Sequence, residues 1–197
     1  MNKENIIISF NGDEGSGKST IAKIIASKLQ IPRFYMGQIF RDKAKEKNLT
    51  LADFLLELEE TPEKEKEIDK YIIELAEKEE PFIIESRVAF ALLPQSLKIY
   101  LKVDPKEAAR RILNQSKERN EDKNFDSIES IKRSILERKA KDGKRYANLY
   151  GVNIRDEKNY DFILDTTNLN INEVCQKILD FINEELNQKN PKHGVSK

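Results

Sequence analysis

Two rhythms of apolar residues alternate along this chain. Five short runs, Asn5–Phe10, Arg33–Met36, Pro81–Glu85, Leu97–Val103 and Asp161–Asp165, are apolar nearly throughout, the mark of strands buried on both faces. Between them the apolar positions recur at helical spacing. Ile21, Ile24, Ile25 and Leu29 form one such stripe, which stops before Pro32. Thr50 with Asp53 predicts the start of a helix over Leu51–Glu60, and Thr61-Pro62 opens another over Glu63–Glu79 with Ile68, Tyr71, Ile72 and Leu75 as its buried face. Asp104-Pro105 with Glu107, Asp126 with Glu129, and Asn170 with Glu173 mark three further helix starts. The last of these packs through Val174, Cys175, Ile178, Phe181 and Ile182. Strands alternating with helices predict a five-stranded parallel α/β sheet with helices on both faces and right-handed crossovers. Ligands of such a sheet gather beyond the carboxyl ends of its strands.

Two intervals exceed what a crossover needs. Residues 37–80 hold several helices and read as a helical insertion over the acceptor side of the site. Residues 114–126 are strongly polar and read either as a solvated loop or as a short lid that closes over phosphates. One domain is expected over 1–186, followed by a polar tail, 187–197.

At 197 residues, Lys plus Arg and Asp plus Glu balance at 35 each. No net charge draws the protein to nucleic acid or to a membrane surface. No apolar stretch approaches the length of a membrane span. The single cysteine, Cys175, sits on an apolar helix face and fits core packing in a reducing compartment. The single histidine, His193, lies in the tail, so a zinc cluster is excluded. A cytoplasmic protein without a membrane anchor is expected.

The first strand runs into Gly12-Asp13-Glu14-Gly15-Ser16-Gly17-Lys18-Ser19-Thr20, a G-x-x-x-x-G-K-S pattern between strand and helix. Glycines let the backbone curl so that several N–H groups point at one anion, and the helix that follows adds the positive end of its dipole. Lys18 is placed to reach the β- and γ-phosphates of ATP and the Ser19 hydroxyl to complete a Mg²⁺ shell. This chain is expected to bind a nucleoside triphosphate through all nine of these residues.

The long helix after Ser127 adds a second signal. Its stripe Ile128, Ile131, Ile135, Arg138, Asp142, Arg145, Leu149 is apolar at both ends and charged in the middle. Such a switch occurs where a helix lines a cleft, or where it simply projects into water. Arginine suits a phosphoryl-transfer site because its fork of donors is rigid and permanently charged. Arg87 and Arg41 stand just past the ends of the third and second strands, and Glu85 at the tip of the third could support Mg²⁺ through water or partner Arg87. Arg110 and Arg111 lie on the helix leading to the polar excursion, and Arg119 lies within it.

Together these segments resemble the nucleoside monophosphate kinases, and among them the cytidylate kinases in their short archaeal-type form. The phosphate loop, Met36-Gly37-Gln38-Ile39-Phe40-Arg41, Glu85-Ser86-Arg87, Arg138-x-x-x-Asp142-x-x-Arg145 and Leu164-Asp165-Thr166-Thr167 fall in that family's order from about Ile6 to Leu186. The resemblance implies that Arg41, Arg87 and Gly37 bind the acceptor, that Arg138 and Arg145 bridge the phosphates, and that Asp142 contacts the sugar. It further implies lid contacts from Arg111 and Arg119, transfer from ATP with Mg²⁺ to CMP or dCMP, and a monomer. Bacterial members carry Asp where this chain has Val88, so no residue yet named reads the base. The alternatives are a kinase of this fold with another acceptor, or a nucleotide-dependent switch. The absence of an N-K-x-D guanine motif weighs against a GTPase switch.

Overall fold

The computed structural model describes residues 6–79, 81–119 and 127–189. Five parallel strands, β1 (Ile7–Gly12), β2 (Arg33–Tyr35), β3 (Phe82–Glu85), β4 (Leu97–Lys102) and β5 (Phe162–Asp165), form one sheet in the order β2-β3-β1-β4-β5. Alternate residues of the central strands enter opposite layers, as the pleat requires. Ile7, Phe82, Ile84 and Tyr100 pack on one face, and Ile8, Phe10, Ile83, Ile99 and Leu101 on the other.

The second face is covered by α1 (Lys18–Leu29) and α8 (Ile171–Lys189), with Cys175 buried between them and the sheet. The first is covered by α2 (Met36–Glu46), α3 (Leu51–Glu60), α4 (Pro62–Lys78) and the short α5 (Ala89–Leu92). Helices α6 (Pro105–Arg119) and α7 (Ile128–Tyr150) pair through Ala108, Ala109, Ile131 and Ile135.

Most helix starts follow their capping chemistry. The Thr50 side chain accepts from the Asp53 amide, Asp104 accepts from Lys106 and Glu107, and Asn170 with Glu173 forms a reciprocal capping box.

The structure corrects the sequence reading in four places. Strand β1 continues to Gly12 rather than ending at Phe10. The Asn11 amide is buried, where it donates to the Tyr160 hydroxyl at 2.6 Å and to the Arg87 carbonyl at 3.1 Å, so polarity there does not end the strand. Helix α7 is capped by Ser127 with Ser130, not by Asp126 with Glu129, because each of the two serine side chains accepts from the other's amide. Helix α6 runs on to Arg119, so residues 114–119, expected to open the lid, are helical. The remainder of that segment and the tail from residue 190 lie outside the described residues.

The fourth correction bears on function. On α4 the buried stripe is Glu65, Ile68, Asp69, Ile72 and Leu75, while Tyr71 is exposed. Two carboxylates take core positions because partners on α7 meet them there.

Candidate active site

The loop 12–17 leaves β1 at the sheet's centre and delivers Lys18 as the first residue of α1. The first-turn amides of a helix have no intrahelical acceptor, so they point out at whatever sits above the loop. Gly15 has φ of 75°, and a Cβ there would lie 2.8 Å from the Ala108 backbone. Only glycine lets the loop lie this close to α6. Asp13 fixes the other wall: its carboxylate accepts from the Tyr100 hydroxyl at 3.0 Å and the Val103 amide at 3.3 Å.

Lys18 folds back along the loop, donating from Nζ to the carbonyls of Gly12 at 2.8 Å and Asp13 at 2.5 Å. Burial, reinforced by the Arg87 cation, pushes its ammonium down to about 7. The Ser19 hydroxyl donates to Glu85 Oε2 at 2.7 Å. Glu85 pairs with Arg33, whose Nε lies 2.5 Å from Oε1, and not with Arg87 as one sequence reading had it.

Arg87 serves Glu14 instead. Its Nη2 donates to the Glu14 carboxylate, Nη1 to the Gly12 carbonyl at 2.8 Å, and Nε lies 3.3 Å from Asp142 Oδ2. Arg138 Nε stands 3.8 Å from Glu14 and 3.9 Å from Asp142, with half its side chain in solvent. Burial alone would raise the Glu14 carboxyl, but Arg87, Lys18 and Arg138 outweigh it and hold the group at about 2. The same carboxylates keep Arg87 firmly protonated.

The structure therefore brings Glu14, Lys18, Arg87, Arg138 and Asp142 into one constellation at the carboxyl edge of the sheet. Asp142 Oδ2 is buried there, close to Arg87 Nε without the alignment of a hydrogen bond.

Four predicted residues lie outside this constellation. Arg145 is buried and pairs with Glu65: Nε donates to Oε2 at 2.8 Å, and Nη2 lies 2.7 Å from Oε1 without the alignment of a hydrogen bond. Its guanidinium lies 5.9 Å from the Phe40 ring centre and 5.7 Å from that of Tyr146. Arg41 is exposed on α2, bonded to Gln38 and 5.1 Å from the Tyr35 ring centre. Gly37 packs beneath that ring, where a Cβ would come within 2.6 Å of it. Arg111 is no free lid cation: it donates to Glu107 and to the carbonyls of Thr166 and Thr167, tying α6 to the end of β5. Thr166 in turn donates to the Ser16 carbonyl at 3.2 Å. The Arg119 side chain lies outside the described residues.

Sequence reasoning missed Glu65 and Asp69. Asp69 accepts from the Tyr150 hydroxyl at 2.7 Å, and burial, with Glu65 nearby, pushes its carboxyl up to about 7. Burial raises Glu65 as well, against the pull of Arg145.

A cleft of about 760 Å³ opens among α2, α3 and α4, but none of the predicted site residues lines it. A second hollow of about 730 Å³ runs beside the start of α1, where Ser19 and Thr20 meet Lys23, Lys28 and Arg33.

A parallel sheet with a phosphate loop after its central strand, faced by arginines from a strand end and a long helix, defines a phosphate-loop kinase fold. Solved structures share it. A shikimate kinase from Bacteroides thetaiotaomicron superposes with a TM-score of 0.60 at 15% identity, covering 90% of this chain and 98% of that one. An uncharacterized protein from Eubacterium ventriosum gives 0.66 at 17% identity, covering 91% and 99%.

The family model described as AAA domain matches residues 8–132. A cytidylate kinase of Pyrococcus horikoshii is 36% identical over 168 residues, 85% of this chain and 83% of its relative. One from Pyrobaculum neutrophilum is 32% identical over 178 residues, covering 90% and 92%. The chain belongs to the cytidylate kinase family.

Proposed function

We propose that this protein transfers the γ-phosphoryl group of ATP to CMP or dCMP, giving ADP and the corresponding diphosphate. Family membership supports the reaction and the acceptor class. The observation that carries the site assignment is that Arg87 pairs with Glu14 and Arg138 stands 3.8 Å from it, beside the phosphate loop along which Lys18 lies. Two arginines around one anion, with a lysine on the adjoining loop, are what a phosphoryl group in transfer requires.

The loop amides and Lys18 bind the β- and γ-phosphates of ATP. Arg87 and Arg138 bind the acceptor phosphate and steady the migrating group. The acceptor phosphate is already anionic at neutral pH, so one of its oxygens attacks the γ-phosphorus as the bond to the ADP oxygen breaks, and no general base is needed. Asp142, on α7 between Arg138 and Arg145 and beside Arg87, orients a sugar hydroxyl.

The donor set also fits Mg²⁺. Ser19 and Glu85 present hard oxygens 2.7 Å apart, and among the described residues no three His, Cys, Asp or Glu side chains gather to hold an ion by themselves. Ser19 and Glu85 would hold a Mg²⁺, whose remaining ligands would come from phosphates and water. Its chemistry there would be the neutralisation of charge on the β- and γ-phosphates.

The test is ADP release with CMP, dCMP, UMP, AMP and GMP each offered as acceptor. CMP or dCMP should give the highest kcat/KM. Hydrolysis independent of any acceptor would overturn the kinase reading, and preference for another base would overturn the acceptor.

A further inference from the structure

We infer that Glu65 reads the exocyclic amino group of the acceptor base and, by accepting it, releases Arg145 to the phosphates. The inference rests on the kinase reading above and supplies the specificity that Val88 does not.

Polar groups run in order from the phosphate loop. Glu14, Arg87 and Asp142 come first, then Arg145 one turn along α7, then Glu65 facing it from α4. The rise from Asp142 to Tyr146 is about 6 Å, the length of a pentose between phosphate and base. With the phosphate at Arg87 and the sugar at Asp142, the base falls beside Arg145, Phe40 and Tyr146. The flat Arg145 guanidinium now fills the space beside both aromatic rings, so a pyrimidine ring enters there only as that side chain leaves.

Glu65 is fully buried, and its Oε1 has no hydrogen bond despite the nearness of Arg145. Arg145 Nη2 is unsatisfied too. The pair is thus held by one aligned hydrogen bond and one close contact that is not aligned, which leaves Oε1 and Nη2 each with capacity for another partner. Cytosine presents an amino donor that a carboxylate accepts. Uracil presents a carbonyl oxygen at the same place, which a buried carboxylate repels. A base that bonds Glu65 weakens its hold on Arg145, and the freed guanidinium can turn one helical step toward the phosphates. Selection of the base and completion of the charge clamp are then one event, in which the correct acceptor's binding energy assembles the site.

The experiment compares Glu65→Gln with the wild type for CMP, UMP, AMP and IMP, measuring kcat and KM for each, with thermal melts in parallel. Glutamine offers an amide whose NH₂ group can face a carbonyl and which no longer binds Arg145 as an ion pair. The CMP-to-UMP ratio of kcat/KM should fall roughly 10- to 100-fold, with UMP turnover rising. Arg145→Ala should instead lower kcat for both pyrimidines alike. An unchanged ratio in Glu65→Gln, or an equal loss for both acceptors, would overturn the inference and leave Glu65 a structural partner of Arg145. If Glu65→Gln does not fold, Glu65→Asp keeps the charge but draws it back from the base, and the same fall in ratio is required of it. A wild type that ignores CMP but prefers AMP to IMP would sink the CMP reading alone, and the AMP-to-IMP ratio in Glu65→Gln would then decide the role of Glu65.

Discussion

Glu14 stands where a phosphate is expected, and replacing it isolates what that carboxylate does. Held at about 2 by Arg87, Lys18 and Arg138 against an ordinary value near 4.5, it contributes about 3 kcal/mol to folding at neutral pH. Only 12% of its side chain is exposed, so solvent screening takes little from that figure. Its folded pKa is depressed, so the contribution is complete above pH 4.5 and is lost as pH falls toward 2. Glu14→Gln removes it and leaves Arg87 facing Asp142 alone, at 3.3 Å.

For a chain of this size, ~3 kcal/mol corresponds to a melting temperature lower by about 6–12 °C. Differential scanning calorimetry from pH 7 down to pH 3.5 should show the gap between wild type and Glu14→Gln shrinking as the medium becomes acidic. A second arm adds ATP and CMP at saturation. Their phosphates supply the anion that Glu14 supplies otherwise, so the variant should gain more from ligand than the wild type and the gap should narrow. Equal melting temperatures without nucleotide, or a gap that ligand leaves untouched, would refute the idea that Glu14 occupies the phosphate position.

Three further outcomes follow from the same geometry. Because Lys18 is pushed down to about 7, ATP binding at pH 8 should take up protons as phosphate oxygens restore its charge. Calorimetric titration in buffers of different ionisation enthalpy measures this, and a buffer-independent enthalpy would contradict it. Arg138→Ala should shift stability by less than about 0.5 kcal/mol, since the side chain is half exposed and contacts its partners only at 3.8 and 3.9 Å, yet lower kcat by ~10²-fold or more; retained turnover would remove Arg138 from the site. Asp69 is raised to about 7 from near 3.8, so its ionisation costs stability that grows above pH 3.8 and is complete above pH 7. Asp69→Asn, which can still accept from Tyr150, should therefore stabilise the fold by ~1–3 kcal/mol at pH 8 and hardly at all at pH 4 in urea titrations; no gain at pH 8 would contradict it.

What the sequence revealed was what is local. The phosphate loop is contiguous, its glycines and lysine answer to one anion, and the strands on either side are nearly uniform apolar runs. Arg87 was legible because a strand end fixes where its successor points. The polarity switch on α7 was legible as a break in a stripe. The same break exists on α4, where Glu65 and Asp69 share helical spacing with Ile68, Ile72 and Leu75. On a helix so rich in Glu and Lys, however, two more carboxylates read as solvated. Their burial depends on Arg145 and Tyr150, about 80 residues away in sequence. No local pattern carries a contact of that kind, and the choice of Arg33 as the partner of Glu85 escaped for the same reason.

The carboxylates of this site make sense as a set. Arg87 and Arg145 are both largely withdrawn from water, and a buried guanidinium without a counter-ion would cost several kcal/mol. Each is therefore given one from a different element, Glu14 from the phosphate loop and Glu65 from the helical insertion. Nucleotide binding then exchanges one anion for another and does not neutralise a bare cation. The net electrostatic gain of binding is smaller than three arginines and a lysine would suggest. The exchange also has a direction. A phosphate can displace Glu14 from Arg87 by charge alone, whereas Glu65 gives up Arg145 only to a hydrogen-bond donor of the right shape. Phosphate recognition at the loop is thereby indifferent to the base, and discrimination is concentrated on the helical insertion, at Glu65.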